Sequence, residues 1–499
     1  MVQLDGIGPL YQQICRAFRG EILSRTLAAG ERVPSTRALA ALLKVSRNTA
    51  LMAYEQLLAE GYLEARVGAA GTVVSSALPS DVLARSPAQL SGPQSHAHMR
   101  AGVPLSIAGA RLVSAARAVT DSLGLAALTW ELPPVGSVYD FRPGRAAFAD
   151  LPYALWCRLL GSRARSASML DLDYGPPAGQ WDLREAIARR LRRVRGIEAA
   201  PERVVIVNGT QQALDLLSRL VLNPGDRVLI EEPHYTGARC AFTAVGGRLV
   251  PAPVDAEGIQ VPKGIKAKRS IRLAYVTPSH QFPTGVILPV ARRLELLSWA
   301  SRVGAYILED DYDGEYRYDG PPLQALAGLD REDRVIYLGT FSKTLFPALR
   351  LAYLVVPESL VAPLATAKAL ADAGTATLEQ LVLADFITYG HFDRHLHRTN
   401  ATNSIRRNAL VDAVRREFAE RAEICGANAG LHVLVWLKGK NGGKVADLAH
   451  KAHMVGVGLY PVDSFYLKAP RRTGVLLGYA PLRERDIREG IRRLAKALT

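Results

Sequence analysis

One lysine lies among hydroxyl side chains in the segment 339–350, Gly-Thr-Phe-Ser-Lys-Thr-Leu-Phe-Pro-Ala-Leu-Arg. A lysine that forms a Schiff base must be partly desolvated, and a phosphate beside it is bound by hydroxyls, backbone N–H groups and a guanidinium. The segment offers all of these around Lys343. A Ser-Lys pair is also common on protein surfaces, so the interpretation depends on the residues that accompany it.

A cluster of acidic residues follows another apolar run, at 309–313, Glu-Asp-Asp-Tyr-Asp. Open α/β sheets bind their ligands beyond the carboxyl ends of their strands. A carboxylate at such a strand end, here Asp310, can keep the nitrogen of a pyridine ring protonated. A solvated acidic turn is the alternative, and it accounts for Asp313 and Glu315 better than for Asp310.

Four further segments carry side chains that suit the same kind of ligand. The strand-to-helix junction 208–212, Asn-Gly-Thr-Gln-Gln, can bind a phosphate through its backbone N–H groups, and Tyr235 can stack on a ring. The others are a turn after a strand, 277–285 (Thr-Pro-Ser-His-Gln-Phe-Pro-Thr-Gly), and 174–179 (Tyr-Gly-Pro-Pro-Ala-Gly), which precedes a helix. Each segment is a weak signal alone, but six of them in this order indicate one site.

Short apolar runs that alternate with helical stretches must position these segments. The runs are 204–207, 227–230, 273–276, 306–308 and 335–338. Apolar runs between helices predict a mostly parallel sheet buried on both faces, and therefore an α/β domain over residues 136–499.

Residues 1–75 show a different pattern, three short helices and a hairpin. Ser35 or Thr36 can cap the second helix and Ser46 the third, and two short strands flank a Gly-rich tip in 62–74. This order is the plan of a winged helix-turn-helix, an α+β module whose second helix of the pair enters the DNA major groove. A solvated helix face is the alternative, because periodicity does not separate the two and the module is only slightly basic.

Composition limits the class of protein. The 499 residues include 62 basic and 47 acidic side chains, a net charge of +15, which favours a polyanionic partner without identifying it. No apolar run reaches the roughly 18 residues of a membrane span and the start of the chain has no export signal, so we expect a cytoplasmic protein without a membrane partner. Residues 76–135, rich in Ala, Ser, Pro and Gly, are interpreted as a linker with room for some helix.

The N-terminal motifs resemble the GntR-type winged helix. They are Pro-Ser-Thr-Arg-x-Leu-Ala at 34–40, Val-Ser-Arg-Asn-Thr at 45–49 and Tyr-x-x-Leu-x-x-Glu-Gly-Tyr-Leu at 54–63. The resemblance implies an operator in double-stranded DNA, contacted by Ser35, Thr36, Arg37, Ser46, Arg47, Asn48, Thr49 and Arg66. The wing tip at 68–72, Gly-Ala-Ala-Gly-Thr, departs from the family's usual Gly-Ser-Gly-Thr by one additional residue.

The six segments of the large domain resemble the fold-type I aminotransferases, and with the winged helix in front the chain is similar to the MocR/GabR family of transcriptional regulators. This resemblance implies a large domain with a mostly parallel sheet, a small α+β lobe over about 385–499, and pyridoxal 5'-phosphate as the cofactor. Lys343 would form the Schiff base (the internal aldimine), Asp310 would pair with the pyridine nitrogen, Tyr312 would bond the phenolic oxygen and Tyr235 would stack on the ring. The residues implied to hold the phosphate are Gly209, Thr210, Gln211, Thr340, Ser342 and Arg350. Tyr174 would reach the phosphate of the neighbouring subunit, which implies a head-to-tail homodimer.

Two positions depart from ordinary aminotransferases. Phe282 replaces the asparagine of their Asn-Pro-Thr-Gly motif, as is typical of the regulators, and Leu476 replaces the arginine that grips a substrate carboxylate. Either Arg471 or Arg472 substitutes for that arginine, or the effector is not a simple α-amino acid.

Two further patterns could bind an ion: a set of three histidines could bind a metal, and a run of arginines could bind phosphates. His391, His395 and His397 match a structural helix of the family, so we expect no metal site. The arginine-rich run 189–195 is interpreted as a solvated helix face, with a second phosphate-contacting patch as the alternative.

The sequence therefore predicts a transcriptional regulator that senses a small amine or amino acid through an aminotransferase-like domain. A working aminotransferase that carries a DNA-binding domain is the competing hypothesis, and a sensor of pyridoxal phosphate itself is a third. We do not expect an enzyme with full turnover, although a transaminase half-reaction is compatible with the motifs.

Overall fold

The computed structural model describes residues 4–66, 71–76, 105–123, 138–262, 271–320, 323–438 and 445–498. It divides into two compact units, residues 1–104 and 105–499. Residues 67–70 of the wing tip and most of the interpreted linker lie outside the described residues.

The first unit is a winged helix-turn-helix, as the sequence predicts. Its elements are α1 (Leu10–Leu23), α2 (Thr36–Leu43), α3 (Arg47–Ala59) and the antiparallel strands β1 (Leu63–Arg66) and β2 (Gly71–Val74). Ser35 and Ser46 cap α2 and α3, because their side-chain oxygens accept hydrogen bonds from backbone N–H groups of the first turn. Lys44 adopts the left-handed conformation (φ 53°) that ends α2 and makes the tight turn between the helices.

The second unit is a mixed α/β structure. Its helices are α4 (Ile107–Leu123), α5 (Tyr153–Ser166), α6 (Trp181–Arg195), α7 (Thr210–Val221), α8 (Thr236–Ala244), α9 (Val290–Val303), α10 (Glu358–Asp372), α11 (Thr377–Thr388), α12 (His391–Phe418), α13 (Val445–Met454) and α14 (Glu484–Ala497). Its strands are β3 (Tyr139–Asp140), β4 (Val204–Val207), β5 (Arg227–Glu232), β6 (Arg248–Asp255), β7 (Gly258–Ile259), β8 (Ile271–Val276), β9 (Tyr306–Asp311), β10 (Val335–Thr340), β11 (Ala352–Val355), β12 (Ala422–Cys425), β13 (His432–Leu437), β14 (Val457–Gly458), β15 (Tyr460–Pro461) and β16 (Thr473–Gly478).

The large sheet has the order β4-β11-β10-β9-β8-β5-β6-β7. Its central strands β10, β9, β8, β5 and β6 are parallel, whereas β11 runs antiparallel to both of its neighbours and β7 returns as a hairpin from β6. Each apolar run named above forms one of these strands, so the predicted mostly parallel sheet is confirmed. The carboxyl ends of the central strands therefore lie along one edge of the sheet.

A four-stranded antiparallel sheet, β12-β13-β16-β15, forms the core of the small lobe with α12 and α14. Residues from the early part of the second unit also belong to this lobe. Strand β3 pairs with β14, and Phe141 is fully buried in the lobe's core. Helix α4 lies within the segment interpreted as a linker. It contacts α8, which in turn contacts β6 of the large sheet. No helix in the described ranges combines the length and the apolar character that a membrane crossing requires.

Candidate cofactor cavity and DNA-binding surface

A cavity of about 720 Å³ opens at the carboxyl ends of the central strands. Nine of the predicted cofactor residues line it, namely Thr210, Gln211, Tyr235, Asp310, Tyr312, Thr340, Ser342, Lys343 and Arg350. Residues that are far apart in sequence thus meet in one place, as the positions of their strands predict. The lining also includes Arg145, Tyr275 and Phe282, of which neither Arg145 nor Tyr275 is singled out by the sequence motifs.

Lys343 follows β10 and extends into this cavity. Its Nζ donates a hydrogen bond of 2.8 Å to the carbonyl oxygen of Gly144. Burial lowers the pKa of Lys343, against the opposing pull of the Asp313 and Asp310 carboxylates, and nearby Arg145 lowers it further. A lysine that loses its proton more readily than usual is a better nucleophile toward an aldehyde.

Asp310 is a buried carboxyl group near the end of β9. The hydroxyl of Tyr275 donates a 2.7 Å hydrogen bond to Oδ2, and burial raises the pKa of Asp310 to about 7. Its other oxygen, Oδ1, is buried without a hydrogen-bond partner among the described residues. A buried oxygen of this kind costs free energy unless a donor reaches it, so a protonated pyridine nitrogen is a fitting ligand.

Neighbouring contacts fix the end of β9 that carries Asp310. Arg195 from α6 is 1% exposed, forms an ion pair with Asp311 and donates a 2.7 Å hydrogen bond to Ser279 Oγ. Tyr337 on β10 donates to the same Asp311 carboxylate. Asp311 is thus held by groups from two other elements, and the adjoining Asp310 is positioned with it.

The start of α7 forms the end of the cavity where the phosphate is predicted to bind. Gly209 precedes the helix with φ 91°, and a Cβ there would lie 2.6 Å from Arg350 Nη2. Arg350 donates a 2.8 Å hydrogen bond to the carbonyl of Asn208. A helix N-terminus beside a guanidinium binds a phosphate well, which is the role predicted for Thr210 and Arg350.

A second network holds this loop from the α10 side. Asn208 and Gln212 each donate a 2.7 Å hydrogen bond to Asp372 Oδ2, and the buried Lys368 pairs with the same carboxylate. These contacts make the loop geometry a property of the fold rather than of a bound ligand.

Tyr312 contacts His280, whose link to Asp313 the sequence motifs do not reveal. Its hydroxyl lies 2.9 Å from His280 Nδ1, which also lies 3.0 Å from Asp313 Oδ2. Burial tends to lower the pKa of His280, but the Asp313 carboxylate outweighs burial and raises it. His280 belongs to the turn that the sequence marks as part of the site, yet its contact with Asp313 depends on how two strand ends meet in the sheet.

The two departures from ordinary aminotransferases lie in one apolar cluster, of which Phe282 lines the cavity and Leu476 does not. Phe282 packs edge-on against Tyr235 and Tyr312, with ring centroids 6.1 and 5.8 Å apart. Leu476 is fully buried on β16 in the same apolar cluster as Phe282.

Neither candidate replacement for the carboxylate-binding arginine lines the cavity. Arg471 is exposed, and Arg472 pairs with Glu423 while its guanidinium lies 4.8 Å from the Trp436 ring centroid. The arginine that does line the cavity, apart from Arg350 at the phosphate end, is Arg145, among the described residues.

Tyr174 lies outside the cavity lining, with 86% of its surface exposed. Its role toward a neighbouring subunit stays a prediction. On α12, His391 contacts Arg394 and His395 Nε2 contacts the Thr344 carbonyl at 2.8 Å, so these histidines have separate partners.

The arginine-rich run on α6 is only partly a solvated face. Arg190 is 8% exposed in its side chain, pairs with Glu315 at 2.5 Å and with Asp393 at 3.2 Å, and lies over the Phe392 ring. Arg195 is buried as described above, whereas Arg192 is 71% exposed. The interpretation of the whole run as a solvated face or phosphate patch is therefore wrong for Arg190 and Arg195, because both are buried ion-pair partners.

The predicted DNA contacts lie on the surface of the first unit. Arg37, Arg47 and Asn48 are exposed, and Arg66 is exposed and pairs with Glu64 at 2.8 Å. The side-chain oxygens of Ser35 and Ser46 cap their helices, and Thr36 and Thr49 are half-buried in the first turns of α2 and α3. The start of α3 thus presents a positive side chain and an amide to solvent.

Comparisons with known proteins agree with both units. Residues 10–74 match the family of bacterial regulatory proteins named gntR, and residues 161–474 match the family of class I and II aminotransferases. The probable rhizopine catabolism regulatory protein MocR of Rhizobium meliloti is 38% identical over 99% of this chain and 94% of its own. The uncharacterized HTH-type transcriptional regulator YhdI of Bacillus subtilis is 36% identical over 98% of this chain and 96% of its own. Among solved structures, the kynurenine aminotransferase of Pyrococcus horikoshii matches with a TM-score of 0.68 and 27% identity, over 83% of this chain and 98% of its own.

The fold and the site define a DNA-binding transcriptional regulator with an aminotransferase-like domain. The chain belongs to the MocR/GabR family, whose two family matches it carries in the expected order. The cofactor of this aminotransferase fold is pyridoxal phosphate, and the Asp310 oxygen, the Lys343 amine and the α7 N-terminus fit its pyridine nitrogen, its aldehyde and its phosphate.

Proposed function

We propose that this protein is a cytoplasmic regulator that senses a small amine or amino acid through pyridoxal phosphate held as a Schiff base by Lys343. The observation that carries the proposal is that one cavity holds both the half-buried Lys343 and the Asp310 oxygen that has no hydrogen-bond partner in the described part of the chain. When bound, the cofactor supplies an aldehyde carbon that reacts reversibly with primary amines. Lys343 would be the amine that an effector replaces on the bound cofactor, and its hydrogen bond to the Gly144 carbonyl would be the contact open to change.

The chain's own residues select the amine. Arg145 lines the cavity close enough to Lys343 to lower its pKa, so it supplies the cation for the acidic group of an amino-acid effector. Phe282 offers an apolar face in the same cavity. This arrangement supports an effector that carries both an amine and an anionic group.

An exposed apolar segment supports a homodimer. Met169, Leu170, Leu172 and Tyr174 are 82%, 83%, 63% and 86% exposed. Contiguous apolar side chains on a surface mark an interaction site. A second copy of the chain would cover them and would bring Tyr174 to the neighbouring cofactor, head to tail.

A working aminotransferase is the second candidate, because the cavity residues that hold the cofactor also suit transamination. Leu476 weighs against it, since a buried leucine offers no grip on a substrate carboxylate. The third hypothesis is a sensor of pyridoxal phosphate itself. In that case, binding of the cofactor alone would alter DNA binding.

The experiment combines three measurements on the purified protein. Candidate amines are titrated while the cofactor absorbance is followed, and the same samples are assayed for turnover with an oxo acid and for binding to upstream DNA. We expect a spectral change and DNA binding, with little or no multiple turnover. Fast multiple turnover without DNA binding would contradict the regulator.

Lys343→Ala tests the attachment of the cofactor. The variant should lose the absorbance band of the lysine Schiff base, because no other amine replaces Nζ. Lys438→Ala, a lysine outside the cavity lining, is the control and should keep the band. A retained band in Lys343→Ala would remove Lys343 from its role.

A further inference from the structure

His280 and Asp313 are buried beside Tyr312, at 1% and 2% exposure. His280 Nδ1 lies 2.9 Å from the Tyr312 hydroxyl and 3.0 Å from Asp313 Oδ2, so one ring nitrogen serves both contacts. Tyr312 lines the cofactor cavity. The three groups form a continuous chain from a buried carboxylate to the cavity.

The hydrogen-bonding capacity of these groups favours one tautomer of His280, with the hydrogen on Nδ1. A carboxylate can only accept, so the hydrogen shared with Asp313 belongs to His280 Nδ1. A ring nitrogen that carries a hydrogen has no lone pair left to accept the Tyr312 hydroxyl. The Tyr312 oxygen then accepts from Nδ1, and its own hydrogen can go either to the Asp313 carboxylate, whose hydrogen bond helps to raise the pKa of Tyr312, or into the cavity.

Tight packing holds the imidazole in this orientation. A Cβ at Gly430 would lie 2.4 Å from His280 Nδ1 and 2.5 Å from Asp313 Oδ2. On another side the His432 ring lies 5.2 Å away between centroids, and its Nε2 faces the Pro283 carbonyl at 3.3 Å. The titratable groups that face His280 are thus Tyr312, Asp313 and His432, and the ring has little room to turn.

We propose that Asp313 and His280 are positioning residues that direct the hydroxyl hydrogen of Tyr312 into the cavity, where it donates to the phenolic oxygen of the cofactor. Because Phe282 stands where ordinary aminotransferases have an asparagine, Tyr312 carries a larger share of this contact. The inference rests on the proposed placement of pyridoxal phosphate.

The test is a pH titration of the visible absorbance of the full chain loaded with pyridoxal phosphate. A hydrogen bond to the phenolic oxygen stabilises its anion, so loss of the donor raises the midpoint of the titration. Tyr312→Phe removes the donor hydroxyl altogether and therefore gives the midpoint expected for complete loss of this hydrogen bond. His280→Phe should raise the midpoint by about one pH unit, a tenfold change in the equilibrium, and Asp313→Asn by a smaller amount in the same direction.

His432→Gln is the matched control, since it replaces a buried imidazole of the same cluster that has no bond to Tyr312. It should titrate like the wild type. Asp313→Asn is isosteric and carries the test if His280→Phe does not fold, as judged by thermal melting and DNA binding.

Three results would overturn the positioning role. They are wild-type titration of both His280→Phe and Asp313→Asn beside a shifted Tyr312→Phe, an equal shift in His432→Gln, and a stoichiometric metal ion that His280→Phe, Asp313→Asn and His432→Gln all lose, since these three residues present atoms within 4.8 Å of one another. An unshifted Tyr312→Phe or a retained band in Lys343→Ala would instead refute the placement of the cofactor.

Discussion

Asp310 is a buried carboxyl group whose charge is costly to the fold when no ligand is bound. Burial raises its pKa to about 7, far above the roughly 3.9 of an unfolded chain, so the folded protein binds this proton more tightly. The charged form therefore opposes folding above about pH 4, and its cost grows until about pH 7. A bound pyridine nitrogen would compensate this charge.

We expect Asp310→Asn to stabilise the cofactor-free C-terminal unit at pH 8 and to weaken cofactor binding. The gain in the free energy of unfolding should be about 1–4 kcal/mol at pH 8 and close to zero at pH 4, because the removed cost follows the titration. Denaturant unfolding of the stripped protein at both pH values measures it.

Asp215→Asn is the control for Asp310→Asn. Asp215 is 54% exposed in a pair with Arg219, and its replacement should change stability little at either pH. An equal gain at both pH values, or a loss at pH 8, would refute this account of Asp310.

Helix α6 illustrates what a sequence pattern leaves undecided at the scale of an element. Its arginine run looks uniform, but Arg190 forms buried ion pairs and Arg192 is 71% exposed beside Glu198. Removal of one partner from a buried pair leaves an uncompensated charge, whereas an exposed pair contributes little.

Arg190→Ala should therefore lower the free energy of unfolding by about 3–5 kcal/mol. Arg192→Ala on the same helix should change it by about 0.5 kcal/mol or less. Chemical denaturation of the two variants gives the comparison directly. Similar losses in both would mean that the Arg190 pairs contribute nothing beyond a surface pair.

The start of α3 is the element on which DNA recognition depends in this account. Arg47→Ala removes an exposed side chain at the first position of the helix and should weaken DNA binding tenfold or more, since a good base contact contributes about 1–3 kcal/mol. The cofactor spectrum should stay unchanged. Arg16→Ala, on α1 of the same unit, should bind DNA like the wild type, and equal effects of the two variants would argue against a specific contact.

The sequence predicts a strand or a helix start correctly where the local pattern of residues determines it. The apolar runs at 204–207 and 335–338 form strands because both faces of the sheet are covered, and Ser46 caps α3 because its oxygen meets the Thr49 N–H. The antiparallel direction of β11 and the His280–Asp313 contact follow from the order of strands in the sheet, which no single segment encodes.

At the scale of the whole molecule, the net charge does not by itself identify the DNA-binding surface. A charge of +15 favours a polyanion as partner, but the winged-helix module is only slightly basic. In the second unit, Arg190 and Arg195 form internal ion pairs. We therefore expect DNA binding to depend on specific residues of the first unit rather than on total charge. The second unit contains the cavity for the ligand that we propose as the regulator.

If an amine changes the affinity for DNA, the DNA must change the affinity for the amine by the same factor. This reciprocity holds for any regulator in which both ligands bias one conformational equilibrium, and it does not apply to an aminotransferase that merely carries a DNA-binding module.

The most direct measurement is the titration of the loaded protein with the active amine, followed by cofactor absorbance, with and without operator DNA. The account predicts that DNA shifts the midpoint of the spectral change by the same factor as saturating amine shifts the affinity for DNA. A spectral midpoint that DNA leaves unchanged, together with rapid turnover of amine and oxo acid, would contradict it.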